Sequence, residues 1–521
     1  MNVAFDPWIP VVTVQGVPCR ISLFQALTEG DRYADLAVRP HERVALMRLL
    51  VCAAHAVIDG PKDETNRENV SENLSRMAEN YFMEWKDSFE IFHKAKPWLQ
   101  IPGIKPNNDS DDANEGWQSV SKLAFYLASG SNSTLFDHEG VNRQRQIYIK
   151  DTLVSMLAFQ CFSPGGLISQ VNWHGVKTNK SSKDGPCVPS SMVHTLIRGN
   201  NLLETLCANM PAYSTIHRSM QIEIGKPVWE QMPESFQDKA NISNATQTYL
   251  GRLVPLKRLI LLNQKDNANT MLLGDGLEYP GFNDDFVQEP TATVVLNNKQ
   301  ERILLAFRPN KGVWRELPAL LVKRTGDKNS PGGSLAINFL KEDRDCDLVV
   351  SGLARDQANI LDTAEFVYHI PSSVNSVDGL DEYEKEVSYA ESVAVRLSQA
   401  IEGYRKTIDP DWESRLKKAG AKKYELMSKL CGVASNCFWT SVEANLNLLM
   451  GYIEAKASNT GEFESKQKEW RKLLMTNAEE LYTTVCGHET PRQAKAFVKG
   501  WEVLHRRSKK PDNENQTQES A

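Results

Sequence analysis

From Leu380 onward the apolar side chains fall at Leu380, Tyr383, Val387, Ala390, Ala394, Leu397, Ile401 and Tyr404, a spacing of 3,4,3,4,3,4,3. That alternation lines one face of a helix, whereas a strand would repeat every two residues. Helical segments follow at about 411–435, 438–456, 464–485 and 491–507. Breakers separate them at Asp409-Pro410, at Ser458-Asn459-Thr460-Gly461 and between Gly487 and Pro491. Helices joined by short links pack antiparallel, so the C-terminal part reads as a four-helix bundle.

The upstream part has another rhythm. "VAFDPWIPVVTV", the turn Gln15-Gly16 and "VPCRISL" predict a hairpin. A helix is expected from about Pro40 to Ile58, and another through "NYFMEWKDSFEIFH" (80–93). Residues 105–116 read as a loop. Strands are expected at 292–298, 302–307 and 346–352, without a βαβ rhythm. The fold class is therefore α+β: a large mixed N-terminal domain (1–374), a helical bundle (375–507) and a polar tail (508–521) expected to be disordered.

The 521 residues suffice for two or three domains. A formal net charge of −6 excludes a bulk polycation, so any nucleic-acid contact must come from local basic segments. The nine cysteines include no Cys-x-x-Cys pair, which argues against a structural zinc site and for reduced thiols in the cytoplasm. Met1 to Asp6 lacks the basic and apolar regions of a signal peptide. The longest apolar run, Val44 to Ile58, is interrupted by Arg48 and His55 and is shorter than a membrane span. It reads as a core helix, and no membrane contact is expected.

Enzyme motifs fail. There is no G-x-x-x-x-G-K-[ST], H-E-x-x-H, G-x-S-x-G or G-x-G-x-x-G. Cys161 and His174 lack a third orienting group, and Cys161 reads as a core residue of the helix "LVSMLAFQCF". Asp137 and His138 offer only two metal ligands, which do not make a site. No catalytic residue, metal or cofactor is expected.

Three polar segments draw attention. "SGSNSTLFDHEG" (129–140) sets Leu135 and Phe136 among turn formers, either pinned under the loop or presenting a stacking face. In "FSPGGLISQVNWHGVKTNKSSKDGP" (162–186), Pro164-Gly165-Gly166 leaves backbone free to approach a groove closely. Lys177, Lys180 and Lys183 follow at intervals of three, as phosphate contacts or as a solvated face. "SGLARDQANIL" (351–361) places Arg355, Asp356, Gln357 and Asn359 between two strand-like runs, longer than an Asn-Gly turn needs. The final helix carries Arg492, Lys495 and Lys499, and its stripe Ala494, Phe497, Val498, Trp501 and Leu504 is expected to pack inward.

"FDPWIPV", "KPWLQIPG" (96–103), "SGSNSTLFDH", "FSPGG", "LIRGNNLLETL" (196–206) and "GLARDQANI" occur in an order that resembles the CasA family, the large subunits of type I-E CRISPR Cascade. The resemblance runs to about residue 507. It implies a non-enzymatic subunit that recognises the PAM in double-stranded target DNA, starts strand separation and offers a docking surface for the helicase-nuclease effector. It also implies CRISPR RNA and the backbone, small and guide-end-binding Cascade subunits as partners.

Residue by residue, the resemblance makes Gln357, between Asp356 and Ala358, the glutamine wedge. It makes Pro164, Gly165 and Gly166 the glycine loop at the PAM, and Leu135, Phe136 and Asp137 the PAM-sensing loop. The bundle, with Arg492, Lys495 and Lys499, would lie near the displaced strand. Leu135, Phe136 and Asp137 differ in their side chains from the family's Phe-Val-Asn segment, and two further departures stand out. The stretch 279–290, where the family's lysine finger should fall, has no lysine and holds Asp284, Asp285 and Glu289. The Cys-rich cluster of some members is absent. The acidic stretch supports an alternative, a structural adaptor without PAM reading; an unrelated α+β enzyme is the third reading, with no motif behind it.

Overall fold

The computed structural model describes residues 1–107, 116–127, 146–281, 289–327, 329–341, 344–356, 359–414 and 423–506, without the side chains of 356, 359 and 423–430. The chain divides into two compact units, Met1–Ile370 and Pro371–Ala521.

Helix α1 (Pro40–Ile58) is the buried axis of the first unit. Its apolar run leaves almost no exposed face, so it is covered from several sides. Strands β1 (Ile9–Thr13), β2 (Pro18–Ile21) and β3 (Tyr33–Leu36) form a sheet in the order β2-β1-β3. The hairpin between β1 and β2 turns at Gly16, whose φ of 83° suits glycine. Trp8 packs edge-on against Trp98 at 5.4 Å, and its Nε1 donates to the carbonyl of Val3 at 2.9 Å. "FDPWIPV" and "KPWLQIPG" are thus core elements. Helix α2 (Ile149–Phe162) carries Cys161 in the interior.

The helix expected to reach residue 93 stops at Glu84. Trp85 leaves helical geometry, and a short 3-10 turn, Lys86–Phe89, lets Phe89 and Ile91 turn into the core. The strands expected at 292–298 and 302–307 are shorter, Val294–Leu296 and Arg302–Leu304.

Five strands position the candidate site. Two form a small ribbon: β4 (Gly166–Leu167) pairs antiparallel with β5 (Ser181–Ser182). The others belong to a sheet in which β6 (Val193–Arg198) and β9 (Asn359–Ile370) flank β8 (Cys346–Asp356), β7 being Arg258–Leu262 elsewhere in the unit. Leu348, Val349, Val350, Leu353 and Ala354 of β8 are buried, which stiffens the β8–β9 hairpin. Arg43 of α1 pairs with Glu365 of β9 at 2.7 Å and ties the hairpin to the core.

In the second unit, helix α3 (Val377–Ile408) starts at the cap Ser376, whose Oγ accepts from the amide of Gly379 at 3.1 Å. Tyr383, Val387, Ala390, Leu397 and Ile401 of the expected seam are buried, while Leu380, Ala394 and Tyr404 are half-buried. Glu386 is buried too. Arg471 and Gln467 of α6 (Phe463–Val485) satisfy its carboxylate, the guanidinium at 2.6 and 3.1 Å.

The second unit has five helices of more than ten residues among the described residues, as many as the helical segments read from the sequence. Helices α4 (Lys423–Ala444) and α5 (Leu446–Ala457) are separated only by Asn445, not near residue 436 as their sequence suggested. Asn445 breaks the run because its Nδ2 donates to the carbonyl of Ser441 at 2.8 Å.

The last helix, α7 (Pro491–Leu504), corrects the expected stripe. Ala496, Gly500 and Leu504 are the buried residues, Ala494, Phe497 and Trp501 are half-buried, and Val498 is exposed. Size decides this rather than hydrophobicity. A Cβ at Gly500 would lie 2.6 Å from the carbonyl oxygen of Ala400, so the small residues let α7 approach α3 closely. Phe497 and Trp501 stack at the rim, with ring centroids 5.6 Å apart.

Candidate nucleic-acid interface

The glycine pair is one arm of the β4–β5 ribbon, with Gly166 opposite Ser182 and Leu167 opposite Ser181. Gly166 has φ of 147°, which L side chains rarely adopt. At Gly165 a Cβ would meet the carbonyl of Ser182 at 2.9 Å and Asp184 at 3.1 Å. Both glycines are therefore required by the ribbon itself. Leu167 stands beside them with 94% of its surface exposed, an unusual place for leucine.

Below the ribbon lies Arg258, at the start of β7 and almost fully buried. Its Nη2 donates to the carbonyls of Pro164 at 3.0 Å and Lys183 at 3.1 Å, so one guanidinium clasps both arms. Its backbone is locked by Gln160 of α2, which accepts from the Arg258 amide at 2.7 Å and donates to its carbonyl at 2.9 Å. Burial lowers the Arg258 pKa to about 10, leaving it charged at neutral pH.

Asp184 follows the second arm. Its Oδ1 accepts from the amide of Gly165 at 2.7 Å, and its Oδ2 pairs with the guanidinium of Arg355. Arg355 lies at the root of the β8–β9 tip, where the register shifts: Ala354 pairs with Asp362 but Arg355 with Ile360. The Arg355 amide donates to Ser191 Oγ at 3.3 Å. Ser190 and Ser191 both hold positive φ, 57° and 51°, in a turn between the ribbon and β6.

Lys177, Lys180 and Lys183 are all exposed. Lys177 and Lys180 make no ion pair among the described residues, whereas the Lys183 ammonium pairs with Glu278. The hydrogen bond from Lys183 is the main reason the Glu278 carboxyl titrates below its usual range. Lys257 is buried, and burial together with the neighbouring Arg258 brings its pKa down to about 8.

Glu289, in the stretch without a lysine finger, is an interior residue. It pairs with Arg48 and Arg252, each at 2.6 Å. Burial alone would raise its pKa, but the two guanidiniums outweigh this and lower it. Asp284 and Asp285 lie outside the described residues. So do Leu135, Phe136, Asp137 and His138 of the sensing loop, and Gln357 and Ala358 of the tip; Asp356 is described as the last residue of β8 without its side chain.

In the bundle, Arg492 donates to the carbonyl of Ile408 at 2.6 Å and so caps the end of α3. Lys495 and Lys499 are exposed on successive turns of α7 and make no ion pair among the described residues. Cys161 is buried and His174 sits on an exposed turn. Among the described residues no group of three or more His, Cys, Asp or Glu could hold a metal, and no helix is long and apolar enough to cross a membrane.

Sequence reasoning missed Arg258, Asp184 and Ser191. The composition of the 162–186 segment signals a loop, and nothing in it signals its partners. A family model described as CRISPR-associated protein Cse1 matches residues 2–481. CasA/Cse1 of Thermus thermophilus is 28% identical over 426 residues, 78% of each chain. The crystal structure of Thermobifida fusca Cse1 superposes with a TM-score of 0.73 at 17% identity, covering 97% of both chains. A chain of a CRISPR RNA-guided surveillance complex superposes with a TM-score of 0.70 at 17% identity, covering 97% of this chain and 99% of that one.

Proposed function

This chain belongs to the CRISPR-associated protein Cse1 family, and from that premise we propose that it is the large subunit of a type I-E CRISPR RNA-guided surveillance complex. In this reading it recognises the PAM in duplex DNA with the ribbon at Pro164, Gly165 and Gly166. It starts strand separation with Gln357 at the β8–β9 tip, and Leu135, Phe136 and Asp137 sense the PAM and the guide end. Lys177, Lys180 and Lys183 hold phosphates, as do the exposed bundle lysines 495 and 499. CRISPR RNA, the other Cascade subunits and a helicase-nuclease are its partners, in the cytoplasm, and it catalyses nothing itself.

One observation carries this reading. The ribbon and the root of the tip are distant in sequence yet share the carboxylate of Asp184. A groove-reading element and a strand-opening element must act on adjacent base pairs, and a common anchor serves that need. Inserting a wedge costs a few kcal/mol per unstacked step, which groove contacts and guide pairing offset. A rigid hairpin held by Arg43–Glu365 suits the load.

The adaptor alternative drew support from acidic residues where a lysine finger should lie. Glu289 no longer lends that support, because Arg48 and Arg252 enclose it. The test is binding of a randomised PAM library by the reconstituted complex with and without this chain. Enrichment of one short motif only when the chain is present is expected; identical enrichment in both would leave the adaptor.

A further inference from the structure

We infer that Asp184 is a positioning residue that registers the glycine ribbon against the strand-opening hairpin, so that PAM engagement delivers the tip to the adjoining base pair. The inference rests on the function proposed above.

Its basis is the way one side chain is held from both sides. The backbone around Asp184 cannot shift easily. Arg258 holds the carbonyl of Lys183 before it, and the amide of Gly185 after it donates to Ser163 at 2.7 Å. A Cβ at Gly185 would lie 2.5 Å from the carbonyl oxygen of Cys161, so this segment is seated directly on the end of α2. From that seat the two carboxylate oxygens diverge. Oδ1 takes the Gly165 amide of the ribbon, and Oδ2 takes the Arg355 guanidinium of the hairpin.

Arg355 is in turn two residues before Gln357, immediately past the register shift, and fastened by its amide to Ser191. Asp184 and Arg355 are both largely shielded, so water competes weakly for the pair. A displacement of the ribbon is therefore transmitted to the root of the tip through the Asp184–Arg355 pair.

The test uses the complete complex carrying Asp184→Asn, Arg355→Met, both changes, or Gln357→Ala. Asparagine keeps an acceptor for the Gly165 amide, so the ribbon is preserved while the charge is lost. Two substrates are compared: a fully paired duplex with a PAM, and the same duplex mismatched over the first base pairs beside it. Opening is followed by 2-aminopurine fluorescence next to the PAM.

Loss of one charge-assisted hydrogen bond predicts opening of the paired duplex about ten-fold slower in Asp184→Asn and in Arg355→Met. Affinity for the mismatched duplex should stay within about two-fold, and the double variant should be no slower than either single one. Equal losses on both substrates would make Asp184 a mere support of the ribbon and overturn the inference. Additive effects in the double variant would do the same. Should Gln357→Ala slow opening while Asp184→Asn and Arg355→Met do not, the coupling alone falls. Should Gln357→Ala open DNA at the wild-type rate, the hairpin reading falls and takes the coupling with it.

Discussion

Arg258 donates from its buried guanidinium to the carbonyl oxygen of Pro164 at 3.0 Å, across 94 positions of sequence. The same nitrogen reaches Lys183, so both arms of the ribbon close on one charge. Replacing Arg258 with Met would keep much of the buried volume but strand two carbonyls, each costing about 1–3 kcal/mol if it stays dry. The ribbon should respond by opening toward water rather than by unfolding the unit. Hydrogen exchange over residues 163–185 should accelerate at least ten-fold, with peptides of α1 unchanged. Unaltered exchange in the ribbon would show that Arg258 is not its clamp.

How much of this could be read from the chain follows from the range of the interactions. The seam of α3 and the limits of α1 were legible because helices are specified by neighbours three and four residues away. The two strands of the β8–β9 hairpin were legible because alternation is also local; Gln357 and Ala358 of its tip lie outside the described residues. Arg258, Asp184 and Glu289 were not legible. Their partners lie 94, 171 and 241 positions away, and an isolated charge carries no mark of its partner. The stripe of α7 was misread for a different reason. Hydrophobic spacing points to the large apolar residues, yet Gly500 and Ala496 are buried because they are small.

Acid should weaken the first unit from near neutrality. Burial lowers the pKa of His41 to about 3, of His55 to about 3 and of His194 to about 4, with Arg39, Arg67 and Arg48 respectively adding to the effect. In the unfolded chain each would titrate near 6.5. The unfolded state thus binds more protons as pH falls below that value, and stability decreases toward the folded pKa values. Each such proton costs about 1.4 kcal/mol per pH unit. Glu289, whose pKa is lowered by Arg48 and Arg252, loses its contribution at still lower pH. Calorimetry should find only a small change in Tm between pH 8 and 7 and a steady fall from pH 6 to 4. A flat profile down to pH 5 would contradict neutral burial of these rings.

The lysines of the ribbon segment should act without regard to sequence. Lys177 and Lys180 are exposed and unpaired by acids among the described residues, while Lys183 is held by Glu278. Each phosphate contact contributes roughly 0.9 to the slope of log affinity against log salt. Changing Lys177 and Lys180 together to Ala should reduce that slope by about 2, on PAM and non-PAM duplexes alike. Lys183→Ala should change it less, since Glu278 already competes for the ammonium. An unchanged slope in the double variant would leave these lysines as a solvated face.

The basic face of α7 separates into two roles. Arg492 spends its guanidinium on the carbonyl of Ile408, so Arg492→Ala should cost about 1 kcal/mol of bundle stability. Lys495 and Lys499 are exposed one turn apart and form no ion pair among the described residues, which leaves them available to an external anion. Reversing these two to Glu should leave PAM recognition intact and destabilise the fully opened complex. The observable is the dissociation rate of a target with complete guide match, set against one from which the displaced strand has been omitted. Faster release only when that strand is present, by about ten-fold for two lost phosphate contacts and two introduced repulsions, is the expected result. If both targets leave at the same accelerated rate, α7 acts on assembly and not on the displaced strand. Arg492→Ala is the internal control: its lower melting temperature without strand-dependent release would keep the capping role apart from the electrostatic one.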